Sequence, residues 1–361
     1  MIEIKTETLQ NMVNKAIRGA SNNKLVPLTS YIGITVVPNV ISLLTTDGMN
    51  YLNVATTIDD IGGELRAVVV AETFTKLVRK LSGETVKLEL TDKYLIVECN
   101  GTYKLELLLD DEGKTIEFHM PSDFDNFAGK EPVGSFDRTT ITRIMTSLKQ
   151  SLATVPTRPH YCCYRMGDEI VATDTSLISI LNQKVFDSAR LVSAECMNLL
   201  DVVVGEGESA VAYKFDHALV FACGQDVLYT REPNGIENFN VDAIKGFADG
   251  DFPYQCTISA PALIDAFERI DLFVGEYDAG AVNLKFDQDG VTISSKSTSG
   301  VEQVQYETVT GQPEFECVAD VTSLLTVFRA QQSTEVTLYF GGEQTIKLVD
   351  GDLVTILALM Y

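Results

Sequence analysis

The hydrophobic pattern of the chain repeats three times. Near the start, the apolar residue Ile4 of a short predicted strand is followed five residues later by an apolar series with helical spacing, and the same arrangement follows Phe136 and Ile258. Apolar positions at i, i+3, i+4 and i+7 predict amphipathic helices that turn one face to a core. These positions are Leu9, Met12, Val13 and Ala16, then Ile141, Ile144, Met145 and Leu148, and then Leu263, Ala266, Phe267 and Ile270.

A second helical series follows in every repeat, with alternating residues around it. The period of two at Val86, Leu88 and Leu90, ahead of Asn100-Gly101, predicts strands and a hairpin. Each repeat is therefore expected to run strands, helix, strands, helix, strands, which gives an α+β fold with antiparallel sheets. The second helical series are Phe74, Leu77, Val78 and Leu81, then Cys196, Leu199, Leu200 and Val203, and then Val321, Leu324, Leu325 and Phe328.

The repeat divides the chain into three expected domains, residues 1–124, 125–253 and 254–361. The boundaries fall near Phe124 and Pro253, each just after an acidic stretch that contains phenylalanine. One amphipathic helix resembles another, so coincidence is the alternative for any single match. The matches come in the same order three times, which favours a true repeat.

Composition and charge narrow the class of protein. The 361 residues are 45% hydrophobic, which indicates a globular protein with cores rather than a disordered chain. A net charge of −23 argues against indiscriminate adhesion to nucleic acid or acidic membranes but leaves room for a local basic surface. An acid at Glu3 and the lack of an apolar run of roughly 20 residues favour a cytosolic protein. The seven cysteines show no regular framework and are interpreted as reduced, mostly buried thiols.

Several short segments, in this order and spacing, resemble the bacterial replicative sliding clamps, the β subunits of DNA polymerase III. The resemblance covers the whole chain. Its segments are Val26-Pro27-Leu28 after Lys24, Thr46-Asp47, Arg158-Pro159, Ala172-Thr173-Asp174, Phe252-Pro253 and the apolar tail from Ile356 to Tyr361.

The chain also departs from that family. After Ala172-Thr173-Asp174 the family usually has Gly-His-Arg-Leu, whereas this chain has Thr175-Ser176-Leu177-Ile178, and Ala358 stands where the family has proline. These departures indicate a divergent member, of bacterial or phage origin, and they fall in the region where the family binds its partners.

The resemblance implies a DNA clamp fold with three like units per chain, each with two helices and antiparallel sheets. Two chains would join head to tail in a ring, with the helices lining a central hole that duplex DNA threads without regard to sequence. The implied partners are the replicative polymerase and clamp-loader subunits, which insert short hydrophobic peptides into a groove. Such a protein acts as a processivity factor and performs no chemistry of its own.

A ring of this charge needs basic side chains on the exposed helix faces. Residues 254–361 carry only 5 basic against 16 acidic residues, so most DNA contact is expected from the first two domains. The alternative for any one residue is an ordinary solvated charge. The candidate DNA-facing residues, which lie on helix faces turned from the core or at helix ends and flanks, are Lys15, Arg18, Lys24, Lys76, Arg79, Lys80, Arg138, Arg143, Lys149, Arg158, Arg190 and Arg269.

Two further surfaces follow from the resemblance. One is a partner groove between the second and third units, against the tail; the other is the dimer interface, between the first unit of one chain and the third of the next. The alternative for the groove set is ordinary packing in the core and last strand, and the alternative for the interface set is a packed helix terminus. The groove candidates are Tyr161, Leu177, Ile178, Pro253, Leu324, Ile356, Leu357, Leu359 and Met360. The interface candidates are Leu272 and Phe273 at a helix end, and Lys104, Leu105 and Leu107 on an edge strand.

No motif supports catalysis, a cofactor or a metal site. Residues 205–210 fit GxGxxA but follow a helical series, so they are interpreted as a turn. Asp287-Gln288-Asp289-Gly290 lacks the later ligands of a calcium loop and is interpreted as a hairpin tip. Cys162-Cys163 near His160 is better explained by packing than by a thiolate pair, because neighbouring strand residues face opposite ways. The rival functions are a repeat scaffold that never encircles DNA and an enzyme with an unrecognised site.

Overall fold

The computed structural model describes the chain except residues 24, 60–62, 117, 119–120, 122–126, 128, 156, 276, 297–298, 343 and 361. The boundary expected near Phe124 lies outside the described residues, as do Lys24, His119 and Tyr361. Within the described part of the chain, no helix is long and apolar enough to cross a membrane.

The elements follow one another in the same order three times, with one additional short strand, β21, in the third set. The first set is β1 (Ile2–Lys5), α1 (Thr6–Ala16), β2 (Tyr31–Val37), β3 (Val40–Thr46), β4 (Asn50–Thr57), β5 (Leu65–Val70), α2 (Ala71–Val78), β6 (Thr85–Leu90), β7 (Tyr94–Glu98) and β8 (Thr102–Glu106). The second set is β9 (Pro132–Asp137), α3 (Arg138–Leu148), β10 (Cys163–Met166), β11 (Ile170–Thr173), β12 (Leu177–Leu181), β13 (Arg190–Ser193), α4 (Ala194–Val203), β14 (Ser209–Phe215), β15 (Ala218–Cys223) and β16 (Asp226–Arg231). Helix α5 (Val241–Ala248) comes between the second and third sets. The third set is β17 (Tyr254–Ser259), α6 (Ala260–Asp271), β18 (Ala281–Phe286), β19 (Gly290–Ser295), β20 (Val301–Gln305), β21 (Thr308–Thr310), β22 (Phe315–Asp320), α7 (Val321–Arg329), β23 (Glu335–Phe340), β24 (Thr345–Asp350) and β25 (Leu353–Ala358).

All six predicted helices are present and bury the predicted faces. In α6, the Ser259 hydroxyl caps the first turn by accepting from the Ala262 N–H at 3.3 Å, and Leu263, Phe267 and Ile270 are buried. In α2 the last residue of the predicted series, Leu81, lies beyond the helix but is still buried. The apolar period therefore identified core positions even where the helix ended early.

Helix α5 was not predicted from the sequence. It has only two turns, and the Asn240 side chain caps it by accepting from the Ala243 N–H at 3.1 Å. Ile244 is its one buried residue. Two turns give too few apolar positions for a recognisable period.

The first compact unit comprises residues 1–141 and 195–232. It contains a four-stranded sheet in the order β1-β6-β7-β8 and an eight-stranded sheet in the order β5-β2-β3-β4-β16-β15-β14-β9. The larger sheet is two four-stranded half-sheets joined where β4 pairs antiparallel with β16, with Tyr51 opposite Tyr229.

The second compact unit comprises residues 142–194 and 233–361. Its nine-stranded sheet runs β13-β10-β11-β12-β25-β24-β23-β17-β21, and its four-stranded sheet runs β20-β19-β18-β22. The larger sheet is again joined in the middle, where β12 pairs with β25 and Leu177 lies opposite Leu357. Helices α6 and α7 pack together between the half-sheets of the third set, with the Phe267 and Phe328 ring centroids 5.7 Å apart.

The turns interpreted from sequence are also present. The predicted hairpin at Asn100-Gly101 joins β7 to β8, and Asp287–Gly290 forms the tip between β18 and β19. The glycine-containing segment before β14 is a turn, in which Gly207 has φ +75°. All seven cysteines are free thiols.

Candidate functional site

Several of the candidate DNA-facing cations are held in ion pairs. The Lys15 ammonium lies 2.9 Å from Asp226 Oδ2, and Asp226 Oδ1 accepts the Ala55 N–H at 3.0 Å. Asp226 is only 7% exposed and is the first residue of β16. Lys15 therefore binds at the junction between β4 and β16 instead of standing free on its helix.

Arg143 has the same kind of partner at the other joined sheet. Its guanidinium pairs with Asp352, just ahead of β25, and donates to the Gln332 side chain. These contacts connect α3 to the joining strand and to the segment after α7. Reversing the charge of Arg143 would break this network as well as any DNA contact.

Other candidates also have acidic partners nearby. Arg138 lies 3.1 Å from Asp201 Oδ1, and Lys76 pairs with Glu72 one turn away on α2. Arg269 donates to both carboxylate oxygens of Glu302, at 2.6 and 2.7 Å, and this hydrogen bonding lowers the pKa of the Glu302 carboxyl.

The remaining described candidates differ in their surroundings. Arg18 lines an open cleft with the acidic side chains of Asp47, Glu195 and Asp201. The Arg79 Nε donates to Asn14 at 2.7 Å, and Arg190 lies over the Phe186 ring. Among the DNA-facing candidates that the structure describes, five are exposed and have no carboxylate partner: Arg18, Arg79, Lys80, Lys149 and Arg158.

The structure divides the groove candidates between two faces of one sheet. Ile178 and Ile356 lie opposite each other in the β12–β25 pair and belong to a cluster that Tyr161 joins. Leu177 and Leu357 point to the other face, into the core that contains Leu324 and the partly buried Leu359. Because successive strand residues alternate in direction, the whole set does not line one groove.

The end of the chain is tied to neighbouring segments by backbone hydrogen bonds. The Leu359 N–H donates to Gln344 O at 2.8 Å, and the Met360 N–H donates to Val318 O at 2.8 Å. Both side chains stay half-buried, and Pro253 is exposed. Leu359 and Met360 are therefore more accessible than Leu324, Ile356 and the other fully buried candidates.

An open cleft of about 520 Å³ lies beside Tyr161 in the second unit. Its other lining residues were not among the groove candidates, although Arg158 was a DNA candidate. The Arg158 guanidinium lies 5.9 Å from the centre of the Tyr161 ring. The lining residues are Gln150, Leu152, Ala153, Thr154, Val155, Thr157, Arg158, Tyr161, Asp174 and Thr175. The exposed apolar Val155 beside a basic residue was the sequence signal that could have indicated this cleft.

The interface candidates lie at one helix end and along one edge strand. Leu272 and Phe273, after α6, are 81% and 50% exposed, and Phe273 lies beside Gly300 at the start of β20. Strand β8 is the last strand of its sheet, with Lys104 exposed and Leu105 half-buried. Leu107 follows the strand and is buried.

The two histidines in the part of the chain that the structure describes have different surroundings. His160 packs against the rings of Tyr161 and Phe239, and His217 lies in the turn between β14 and β15. Among the described residues, no group of three or more His, Cys, Asp or Glu side chains is arranged to hold a metal ion.

Comparison with known proteins identifies the fold. No family model matches the sequence, and no curated protein matches it. The chain is similar to the DNA polymerase sliding clamp of Bacillus subtilis, with a TM-score of 0.88 and 15% identity over 99% of this chain and 98% of that one. It is similar to the DNA polymerase III β chain of Streptococcus pneumoniae, with a TM-score of 0.85 and 17% identity over 99% of each chain. It is also similar to a sliding clamp of Pseudomonas aeruginosa that was solved bound to griselimycin, with a TM-score of 0.85 and 15% identity over 100% of this chain and 99% of that one. The expected clamp fold is confirmed along the whole chain.

Proposed function

We propose that this chain is a DNA sliding clamp that encircles duplex DNA and tethers a replicative polymerase and other partners in the cytoplasm. Two copies join head to tail, and the helices of all three repeats line the hole. The protein performs no reaction. It confers processivity because a threaded ring cannot leave DNA sideways.

The observation that carries this proposal is that two equivalent edge strands remain unpaired in the single chain. Each repeat forms two half-sheets; β4 joins β16 and β12 joins β25, so the first repeat joins the second and the second joins the third. The equivalent strands of the remaining pair are β20 and β8, and each is the last strand of its four-stranded sheet. A sheet edge exposes unpaired backbone N–H and C=O groups that pair readily with another strand. Pairing β20 of one copy with β8 of the next completes a third joined sheet, of eight strands.

The side chains at these edges fit burial between two copies. Val301 on β20 and Leu272 and Phe273 after α6 are exposed large apolar residues, and Tyr103 is exposed on β8. Exposed apolar side chains at both unpaired edges fit an interface that buries them. The contact is head to tail, so it either closes into a ring or extends as a filament. A closed ring of two chains, with six repeats, is the form proposed here.

DNA contact is assigned to the exposed cations on the helices and on the loops that follow them. Arg79 and Lys80 at the end of α2, together with Lys149 and Arg158 after α3, are exposed. Contacts of this kind to phosphates are sequence-independent and weaken with salt. Lys15 and Arg143 serve the sheet junctions first, through Asp226 and Asp352.

Partner binding is assigned to the cleft beside Tyr161 and to the nearby tail. The cleft contains apolar surface from Leu152 and Val155 and a cation at Arg158. An extended peptide with apolar anchors fits such a surface. The half-buried Leu359 and Met360 can contribute, and a methionine adapts to different ligands.

The test is retention on circular DNA. Purified protein is loaded with a clamp loader onto a nicked plasmid, isolated by gel filtration, and challenged by linearising the plasmid. A ring remains on the circle and is lost through the ends after linearisation. Equal loss from circular and linear DNA would contradict encirclement and favour a scaffold that only binds proteins.

Two matched double variants test whether the assigned interface residues hold the dimer together. Leu272→Asp with Phe273→Asp is expected to convert the dimer to monomer in light scattering and to abolish retention, because it places charge in an apolar contact. Val37→Asp with Met49→Asp makes the same charge change at exposed apolar residues away from both edges and should leave both readouts unchanged. Equal behaviour of the two double variants would contradict the assigned interface.

A further inference from the structure

Helix α5 covers part of one face of the nine-stranded sheet. It belongs to none of the three repeats and has only two turns. Its buried residue, Ile244, joins Ile178 and Ile356 in an apolar cluster. This cluster lies on the face of β12 and β25 opposite the core that contains Leu177. Both faces of these strands therefore bury apolar side chains, and α5 contributes to the cover on one of them.

The helix has little stability of its own. Its eight residues are too few for a helix to persist alone in water. Gly246 lies in its interior, where glycine disfavours the helix because it loses more backbone freedom than alanine does. A Cβ on Gly246 would meet no atom within 4 Å, so packing does not require glycine there. The contacts of α5 with its surroundings therefore decide whether it stays in place.

Two lysines fasten α5 from outside the apolar cluster. Lys245, on the helix, lies 2.7 Å from Glu169 Oε1 in the turn between β10 and β11. Lys347, on β24, donates to the carbonyl oxygen of Ala248, the last residue of α5, at 2.8 Å. A lysine in this position satisfies a carbonyl that has no partner within the helix. The helix is thus held by one buried side chain and two polar contacts.

The contact at Lys347 carries a desolvation cost. The ammonium lies 4.9 Å from the centre of the Phe252 ring and 4.5 Å from that of the Tyr339 ring. Burial lowers the pKa of Lys347, an effect that the charge of Asp249 opposes. The charged amine therefore regains hydration when α5 lifts, which offsets part of the lost contact. Elements with so few buried contacts open locally before the core does.

We propose that α5 is an autoinhibitory lid, which lifts as a unit from β12 and β25 while the rest of the fold stays intact. Lifting exposes the apolar face that contains Ile178 and Ile356. In the closed position α5 withholds this surface from other proteins. The regulatory purpose of the lid rests on the proposed tethering of partners, whereas the movement itself does not.

Two buried cysteines allow the movement to be measured. Cys163 is 3% exposed and belongs to the same apolar cluster as Ile244. Cys256 is 1% exposed and lies in the opposite core with Leu177, so it serves as an internal reference. Iodoacetamide reacts with a buried thiol only when its cover opens, and the rate follows the population of the open form. Mass spectrometry of the full-length protein after timed exposure gives both rates.

Two substitutions should move the lid in opposite directions. Gly246→Ala should slow the alkylation of Cys163 about fivefold, because alanine favours the helix and adds no contact. Lys347→Met should speed it about fivefold, because it removes the hydrogen bond to Ala248 and both ring contacts. Neither substitution should change the rate at Cys256.

A matched control removes a lysine of the same compact unit away from α5. Lys285 pairs with the exposed Glu316 at 3.2 Å, so Lys285→Met makes the same charge change and should leave the rate at Cys163 unchanged. The apolar dye ANS gives a second readout. Lys347→Met should bind more dye than the wild type or Lys285→Met, because the exposed face is apolar.

The outcomes separate a lid from general loosening and from the proposed function. A rate at Cys163 that neither Gly246→Ala nor Lys347→Met changes would overturn the lid. Equal changes at Cys163 and Cys256 would also overturn it, because they would report unfolding of the whole unit. Both variants should be retained on circular DNA as the wild type is. Loss of retention by the wild type would remove the proposed function and leave the movement of α5 standing.

Discussion

The carboxylate of Asp350 is nearly buried at the end of β24 and holds the segment after α7 in place. It accepts the backbone N–H groups of Gln332 and Ser333 at 2.7 and 3.1 Å, and the Ser333 hydroxyl donates to it. Burial alone would raise its pKa, but the hydrogen bonds from Ser333 and Gln332 outweigh that effect, with a smaller contribution from the charge of Arg143. The pKa of Asp350 is therefore below its usual value.

This lowered pKa predicts a pH-dependent contribution to stability. The contribution is present above the unfolded pKa of about 3.9 and is lost as pH falls through the lower folded value. Asp350→Asn should lower the free energy of unfolding by about 1–3 kcal/mol at pH 7, and the difference from wild type should shrink below about pH 4. Urea unfolding at several pH values measures this. The exposed Glu314→Gln is the control, with an expected change within about 0.5 kcal/mol at pH 7. A difference for Asp350→Asn that did not vary with pH would contradict the assigned role.

For some single residues, the sequence did not predict which face of a sheet the side chain occupies. Leu177 and Ile178 were assigned to one groove from their position in the resemblance, but they face opposite sides of β12. The alternation itself is a sequence property; which face meets a core and which meets solvent depends on β25, nearly 180 residues along the chain. The cleft beside Tyr161 was missed for a similar reason, because the loop after α3 and the turn between β11 and β12 that line it come together only in the folded chain.

At the scale of elements, the helices could be predicted and their ion pairs could not. Apolar periodicity predicted all six repeat helices because an amphipathic helix must bury its apolar face. The same sequence placed Lys15 and Arg143 on solvent faces, and the structure gives each an acidic partner more than 200 residues away, at the start of a joining strand. Such partners depend on the pairing of β4 with β16 and of β12 with β25, which periodicity does not specify.

Asp226 is expected to stabilise the junction of α1, β4 and β16. Asp226→Ala removes the partner of Lys15 and the acceptor for the Ala55 N–H, so the free energy of unfolding of the first unit should fall by about 1–3 kcal/mol. Urea unfolding measures the change. Glu72→Ala breaks the exposed pair with Lys76 on α2 and should cost less than about 1 kcal/mol. Equal effects of the two variants would show that burial at the sheet junction adds nothing to the pair.

At the scale of the whole molecule, charge is distributed unequally along the chain. Residues 254–361 carry 5 of the 28 basic residues, and Arg269, Arg329 and Lys285 among them each pair with a glutamate. The helices and their flanking loops, as far as the structure describes them, also carry exposed cations without a carboxylate partner. These cations belong to the first two repeats. In a ring, DNA would therefore be held mainly by four of the six repeats, and the surplus of acids elsewhere would keep DNA from the outer surface.

Reversing two of these cations tests that distribution. Arg79→Glu with Lys80→Glu should reduce the amount of protein loaded onto a nicked plasmid and shift its loss to lower salt, because each phosphate contact adds a salt dependence of about −0.9 in slope. The dimer should persist in light scattering, since neither residue lies at the proposed interface. Lys114→Glu with Lys285→Glu makes the same change in net charge at exposed positions off the helices. Because both double variants alter the total charge equally, a larger loss from Arg79→Glu with Lys80→Glu reports the position of the charge, and equal losses would contradict DNA contact at α2.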